Sequence, residues 1–113
     1  MEVKATARFV RASPRKVRRV LEGLRGLPVH EAQARLRAVP GSVPRTVAKV
    51  LKSAVANAEN NYELDPDDLV VARAYADRGP VMKRLVPRAR GRADIAARPM
   101  SHITIVVGER ATR

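Results

Sequence analysis

Residues 79–102 read GPVMKRLVPRARGRADIAARPMSH, and the fold turns on what this stretch can be. Lys83, Arg84, Arg88, Arg90, Arg92 and Arg98 are positive, against a single acid, Asp94. No apolar run here is long enough to make a core. Pro80, Pro87 and Pro99 exclude a continuous helix, because each removes a backbone donor and clashes with the preceding turn. Arg90, Gly91 and Arg92 supply the glycine that a tight reversal needs. Strand-like sequence flanks the stretch on both sides, from Leu69 to Ala76 and from Ile103 to Val107. Two strands continuing through a charged, proline-punctuated segment predict one long β-hairpin, based in a sheet and standing far outside it at the tip. About ten residues per arm at ~3.3 Å each give a reach of roughly 30 Å. An isolated two-stranded ribbon is marginal in water, and this one also carries dense like charge. Something anionic is expected to surround it.

The remainder of the chain supplies the body. Glu2 to Arg11 alternates: Val3, Ala5, Ala7 and Phe9 fall on one face, and Lys4, Thr6 and Arg8 on the other, which predicts a half-buried strand with a basic outer face. Ser13 and Pro14 open a helix, serine as N-cap and proline in the first turn. Val17, Val20, Leu21 and Leu24 then recur as one buried stripe, and Gly26 is the expected stop. Arg15, Arg18 and Arg19 lie opposite the stripe, flanked by Arg25. Glu22 is the one acid in this helix, so its outer face suits phosphate better than plain solvent. Val29 to Val39 reads as a second, shorter helix lined by Val29, Ala32, Leu36 and Val39. Pro40 and Gly41 end it. Ser42 caps a third helix whose stripe is Val43, Val47, Val50, Leu51, Ala54 and Ala58, with Arg45, Lys49 and Lys52 outside. Asn60 and Asn61 can take the left-handed conformation that ends it. The acidic block Glu59, Glu63, Asp65, Asp67 and Asp68 lacks calcium-loop spacing and reads as a solvated connection, at an end that points away from a polyanion. Leu69 to Ala76 has apolar residues on both parities, which leaves its inner face unassigned and a bulge open. The order strand, three helices, two strands predicts an α+β fold: a small, mostly antiparallel three-stranded sheet packed on three helices. The chain reads as a single domain, with a body of residues 1–78 and 101–113 and a hairpin extension of residues 79–100.

Charge narrows the function. The 113 residues hold 23 Lys+Arg against 11 Asp+Glu, a net charge of +12 and a pI near 11.5. That excess points to nucleic acid or an anionic membrane. A hydrophobic content of 45% excludes a disordered basic tail. No helix combines an aromatic face with a lysine-rich one, and no apolar run spans a membrane. No signal-peptide core stands at the N-terminus, so a cytoplasmic location is expected. The lack of cysteine excludes thiolate chemistry and zinc–cysteine sites. An aromatic content of 3%, carried by Phe9, Tyr62 and Tyr75, argues against a base-stacking platform. An enzyme has little support. His30 sits beside Glu31 as a solvated histidine, and the neighbours Ser101 and His102 point to opposite faces of a strand. No metal or cofactor is expected.

Nucleic acid remains, and arginine, which forks phosphate and stacks on bases, dominates the hairpin. Lys83, then Arg88 to Arg92, then His102, Ile103, Ile105 and Val107 at their spacings resemble the signature of the large-subunit ribosomal protein L twenty-two family. Ser13 to Arg18, Lys49 to Leu51, Ser53 to Ala58, and Asp77, Gly79 and Pro80 resemble it in the same order, over nearly the whole chain. Arg78, Pro99 and Met100 depart from the usual pattern at the hairpin base. The resemblance implies a body near the outer opening of the polypeptide exit tunnel and a hairpin along its wall. Contacts to large-subunit ribosomal RNA, an early role in assembly and macrolide binding near the tip go with it. The expected RNA contacts are Lys4, Arg8, Arg11, Arg15, Lys16, Arg18, Arg19, Arg25 and Lys49 in the body. Lys83, Arg84, Arg88, Arg90, Arg92, Arg98 and His102 continue them on the hairpin. Arg88, Ala89, Arg90, Gly91 and Arg92 form the expected tunnel-lining tip. Neighbouring ribosomal proteins and the nascent polypeptide are the other implied partners, with no membrane and no homo-oligomer. The alternative is a sequence-independent DNA-binding protein with a β-arm. Such arms insert an apolar wedge, which this tip lacks.

Overall fold

The computed structural model describes residues 2–87, 91 and 93–109. β1 (Glu2–Val10) is followed by α1 (Pro14–Glu22), α2 (Val29–Ala38) and α3 (Ser42–Tyr62). A 3-10 turn at Pro66–Asp68 then leads into β2 (Leu69–Pro87) and β3 (Ala93–Glu109). The three strands form one antiparallel sheet in the order β1-β3-β2. The fold is α+β, as its periodicities predict.

β3 is central, and that explains its burial. Ile103, Ile105 and Val107 point into the core with Val3, Ala5, Val17, Leu21, Val47, Leu51 and Ala54. Thr104 and Val106 point the other way yet are also buried, covered by side chains of the strands on either side. The ambiguous parity of β2 has a direct cause. Val71 faces Val107 and Arg73 faces Val106, so one extra residue bulges at Ala72. Leu69 and Val71 are inward before the bulge, and Ala74 and Ala76 after it.

The hairpin ladder runs unbroken in register from Val81 opposite Pro99 to Pro87 opposite Ala93. Leu85 is 74% exposed and Val81 46%, so these apolar side chains of the arm lie outside the core. The extension makes the molecule 68 Å long and 26 Å by 20 Å across, with a radius of gyration of 17.2 Å. A compact domain of this length has about 13 Å. A second bulge marks the hairpin root, between Arg78 and Val81. A Cβ on Gly79 would lie 3.2 Å from both the carbonyl carbon and the oxygen of Met100, so any other residue would push the two arms apart by a few tenths of an ångström. The departures at Pro99 and Met100 fall opposite this bulge. Arg88, Ala89, Arg90 and Arg92 lie outside the described residues. Gly91 has φ +72, the left-handed value expected of a reversal.

Several boundaries differ from the sequence reading. α1 ends at Glu22, not at Gly26, and Leu24 is buried from the loop beyond it. That loop is held by sheet-like bonds: the Gly26 amide donates to the Val71 carbonyl at 2.8 Å, and the Val71 amide to the Leu27 carbonyl at 2.9 Å. Val39 caps α2 in an extended conformation and is 52% exposed, so it is not part of the buried stripe. Gly41, not Ser42, is the N-cap of α3. Glu63, not Asn60 or Asn61, takes the left-handed position after α3, where Leu64 N–H also returns to the Ala58 carbonyl. Phe9 leaves the inner face altogether, for a reason given below.

Leu51 is fully buried on α3. Leu51→Ala should lower the unfolding free energy by ~2–5 kcal/mol, since a cavity adds to the lost transfer energy. Urea denaturation followed by circular dichroism measures it.

Candidate nucleic-acid interface

Most of the expected contact residues fall on four surfaces. The first is a hollow of about 420 Å³ at the hairpin root, lined by Arg11, Ser13, Lys16, Ser42, Arg98 and Pro99 among others. Arg11 comes from the turn after β1, Lys16 from α1 and Arg98 from β3, so three distant parts of the sequence converge. The turn is fixed by Ser101, fully buried, whose hydroxyl donates to the Ala12 carbonyl, and by the Ala12 amide on the Val10 carbonyl at 2.8 Å. No carboxylate lines this hollow among the described residues. The N-terminal residues of both α1 and α3 line it, and neither helix has a side-chain cap. Ser13 stands at the predicted N-cap position but makes no capping bond. Two helix N-termini without side-chain caps and three cations make a positive concavity, suited to an anionic oxygen.

The second surface is the sheet face that no helix covers. Lys4, Val106 and Arg73 form one row across it, and Thr6, Thr104 and Tyr75 the next. Arg8 and Phe9 then share the position opposite His102, with Asp77 beyond. Lys4 and Arg8 are exposed here and His102 is half-buried. Arg73 also pairs with Glu2 at 3.0 Å.

The third is the outer edge of β2. Arg18 donates Nε and Nη2 to the Ala76 carbonyl at 3.1 and 2.9 Å. Arg25 does the same to Ala74 at 3.1 and 3.0 Å. Sequence reasoning set Arg18 on the outer face and Arg25 beside it, both as RNA contacts, because a helical wheel cannot see a sheet edge nearby. Both side chains remain exposed. Arg15 and Arg19 are exposed on α1 without such a bond among the described residues.

The fourth is the hairpin itself. Lys83 is exposed on it, and Arg84 pairs with Ala96 across the ladder. The tip residues Arg88, Arg90 and Arg92 lie outside the described residues. Apart from these surfaces, Lys49 lines a shallow groove between α3 and the edge of β1 with Thr6 and Ser53. Asn57, two turns on from Lys49, donates to the Lys4 carbonyl on that edge at 3.3 Å.

The charge is polarised along the sheet. The acidic connection leads into Leu69, which pairs with Glu109 at the end remote from the hairpin root. There Asp67 accepts from, or pairs with, His30 at 2.7 Å; sequence had left His30 merely solvated. Both groups are well exposed, so the pair adds little stability.

Residues 5–108 match the model of the family described as ribosomal protein L22p/L17e. The chain is 59% identical over 110 residues to the large ribosomal subunit protein uL22 of Thermoanaerobacter sp. (strain X514), covering 97% of this chain and 99% of that protein. It is 55% identical over 111 residues to the protein of the same name from Clostridium novyi (strain NT), covering 98% and 100%. For that of Chloroflexus aggregans (strain MD-66 / DSM 9485) the identity is 50% over 111 residues, covering 98% of each.

Arg18→Ala should cost about 1 kcal/mol of stability, the net worth of a part-buried hydrogen bond to the Ala76 carbonyl. Arg18→Lys should not restore it, because an ammonium cannot fork one carbonyl through two fixed donors. Thermal unfolding of the two variants against the parent checks this.

Proposed function

Because this chain belongs to the ribosomal protein L22p/L17e family, we propose that it is a non-catalytic constituent of the large ribosomal subunit in the cytoplasm. Its body binds large-subunit ribosomal RNA early in assembly, beside neighbouring ribosomal proteins. Its hairpin lines the polypeptide exit tunnel, where the tip meets the nascent chain. The observation that carries the RNA-binding reading is the hollow at the hairpin root, where Arg11, Lys16 and Arg98 meet two uncapped helix N-termini. A phosphate seated there would be held by fixed N–H dipoles and by charges on three elements. The hairpin arm would thereby be tied to the body at its root, which is the orientation an RNA-threading ribbon requires. Lys83 and Arg84 would hold the ribbon's course, and the arginines of the tip would face the lumen.

Binding by this route depends on displaced counterions. Log affinity for protein-free large-subunit RNA should fall with log salt at roughly 0.7–0.9 per phosphate neutralised. Filter binding at several salt concentrations measures the slope, and Lys16→Ala or Arg98→Ala should each reduce it by about one contact. A salt-insensitive affinity would remove the reading.

The tip has its own test. Gly91 has open space around the position of a Cβ but a left-handed φ. Gly91→Asp therefore strains the reversal and adds negative charge, without touching the core. Ribosomes that have incorporated it should show altered macrolide binding or altered release of an arrest peptide. Parental behaviour in both would mean that the tip does not face the tunnel. Replacing residues 82–98 by a short turn should leave the sheet protected from hydrogen exchange, as expected if body and extension are separate units.

A further inference from the structure

Phe9 has φ +57, and a bulky side chain rarely adopts a left-handed backbone. The value arises at a bulge. Ala7 faces Ile103 and Val10 faces Ser101, so Arg8 and Phe9 together oppose His102. Continued alternation would have buried Phe9 in the core. Instead it is 59% exposed, while Val10 takes over the packing against the core. The strained conformation is held in place by His102. Phe9 N–H donates to His102 Nδ1 at 3.1 Å, and the two rings meet edge to face, 5.1 Å between centroids at 87°. Because Nδ1 is the acceptor, Nε2 carries the ring proton and remains a donor.

An aromatic ring brought out of a core by backbone strain and buttressed by a second ring is an expensive way to expose apolar surface. It borders a hollow of about 290 Å³, lined by Lys4, Thr6, Arg8, Tyr75, Asp77 and His102 among others. Tyr75 is 40% exposed there. The floor is polar, with the hydroxyls of Thr6 and Thr104 3.3 Å apart. Lys4 and Arg8 supply positive charge at the rim, and Asp77 is the one carboxylate.

We infer that this hollow is a binding site for one unpaired nucleobase of RNA, which stacks on the Phe9 ring. Lys4 and Arg8 meet the phosphates on either side of it. Asp77, an acceptor only, suits an exocyclic amino group. Phe9 and Tyr75 were too few in sequence to suggest a platform, but the fold places both on one open face. The inference rests on the RNA-binding reading above, and deepens it by separating a stacking contribution from the phosphate contribution.

The chain has no tryptophan, so Phe9→Trp introduces a single reporter at the site. Titration with protein-free large-subunit ribosomal RNA should quench its emission. Phe9→Ala should weaken binding on the order of tenfold while the salt slope stays unchanged, because no phosphate contact is lost. Phe9→Gly relieves the left-handed strain, so it should bind as weakly as Phe9→Ala and unfold at a temperature no lower than that variant. A merely structural role for Phe9 would make stability and affinity fall together and leave tryptophan emission insensitive to RNA. Parental affinity in Phe9→Ala, or unquenched emission at saturating RNA, would overturn the stacking site alone. Failure of the unaltered chain to bind would remove the RNA-binding reading, and the stacking site with it.

Discussion

β3 is hydrogen-bonded on both sides, and everything else in the molecule takes its position from that double pairing. From Ser101 to Gly108 it has β1 on one side and β2 on the other. Beyond Ser101 it keeps only β2, and the sheet becomes a two-stranded ribbon. Body and arm are therefore one continuous piece of backbone. The register that buries Ile103, Ile105 and Val107 under the helices also sets where Arg98 stands relative to Arg11 and Lys16. In a strand with side chains alternating every residue, a slip of one position would turn the isoleucines outward and take the hairpin root out of line with α1 and α3.

Three bulges modify this frame, and each does a different thing. The one at Ala72 lets β2 keep apolar residues inward on both parities. That at Gly79 and Pro80 sits where the third strand is left behind and two prolines deprive the ladder of donors, so the arm can change course at its root. The one at Arg8 and Phe9 turns an aromatic ring outward. Bulges bend and re-aim strands at a small cost in pairing, and here they lie at the boundaries between the core, the arm and the open face.

Much of this was legible in the chain. The stripes of α1 and α3 carry their period plainly, and the long hairpin follows from prolines and charge that admit neither helix nor core. The mixed parity of Leu69 to Ala76 announced a bulge without locating it. Phe9 misled, because it continues a clean alternation from Val3. Nothing local distinguishes an inward aromatic from one displaced by an extra residue, since the displacement depends on the distant partner His102. Arg18 and Arg25 misled in a related way. Arg18 does lie on the outer face of α1 and Arg25 in the loop beyond it, but their partners are carbonyls of a strand some fifty residues later. The convergence of Arg11, Lys16 and Arg98 was likewise invisible until the sheet brought turn, helix and arm together.

A three-stranded sheet has two borders, and an unpaired border of backbone amides and carbonyls is a template for another copy of the same strand. In this molecule the border of β2 is occupied along its body by Gly26 and Leu27 and by two guanidinium groups lying over its carbonyls. On β1 an asparagine of α3 covers the Lys4 carbonyl. A second chain approaching the β2 border meets fixed positive charge where it would need an acceptor's partner, and brings positive charge of its own. Charge of one sign along that line opposes the edge-to-edge joining of two copies. The border is thus guarded by the same kind of residue that makes the chain as a whole so basic.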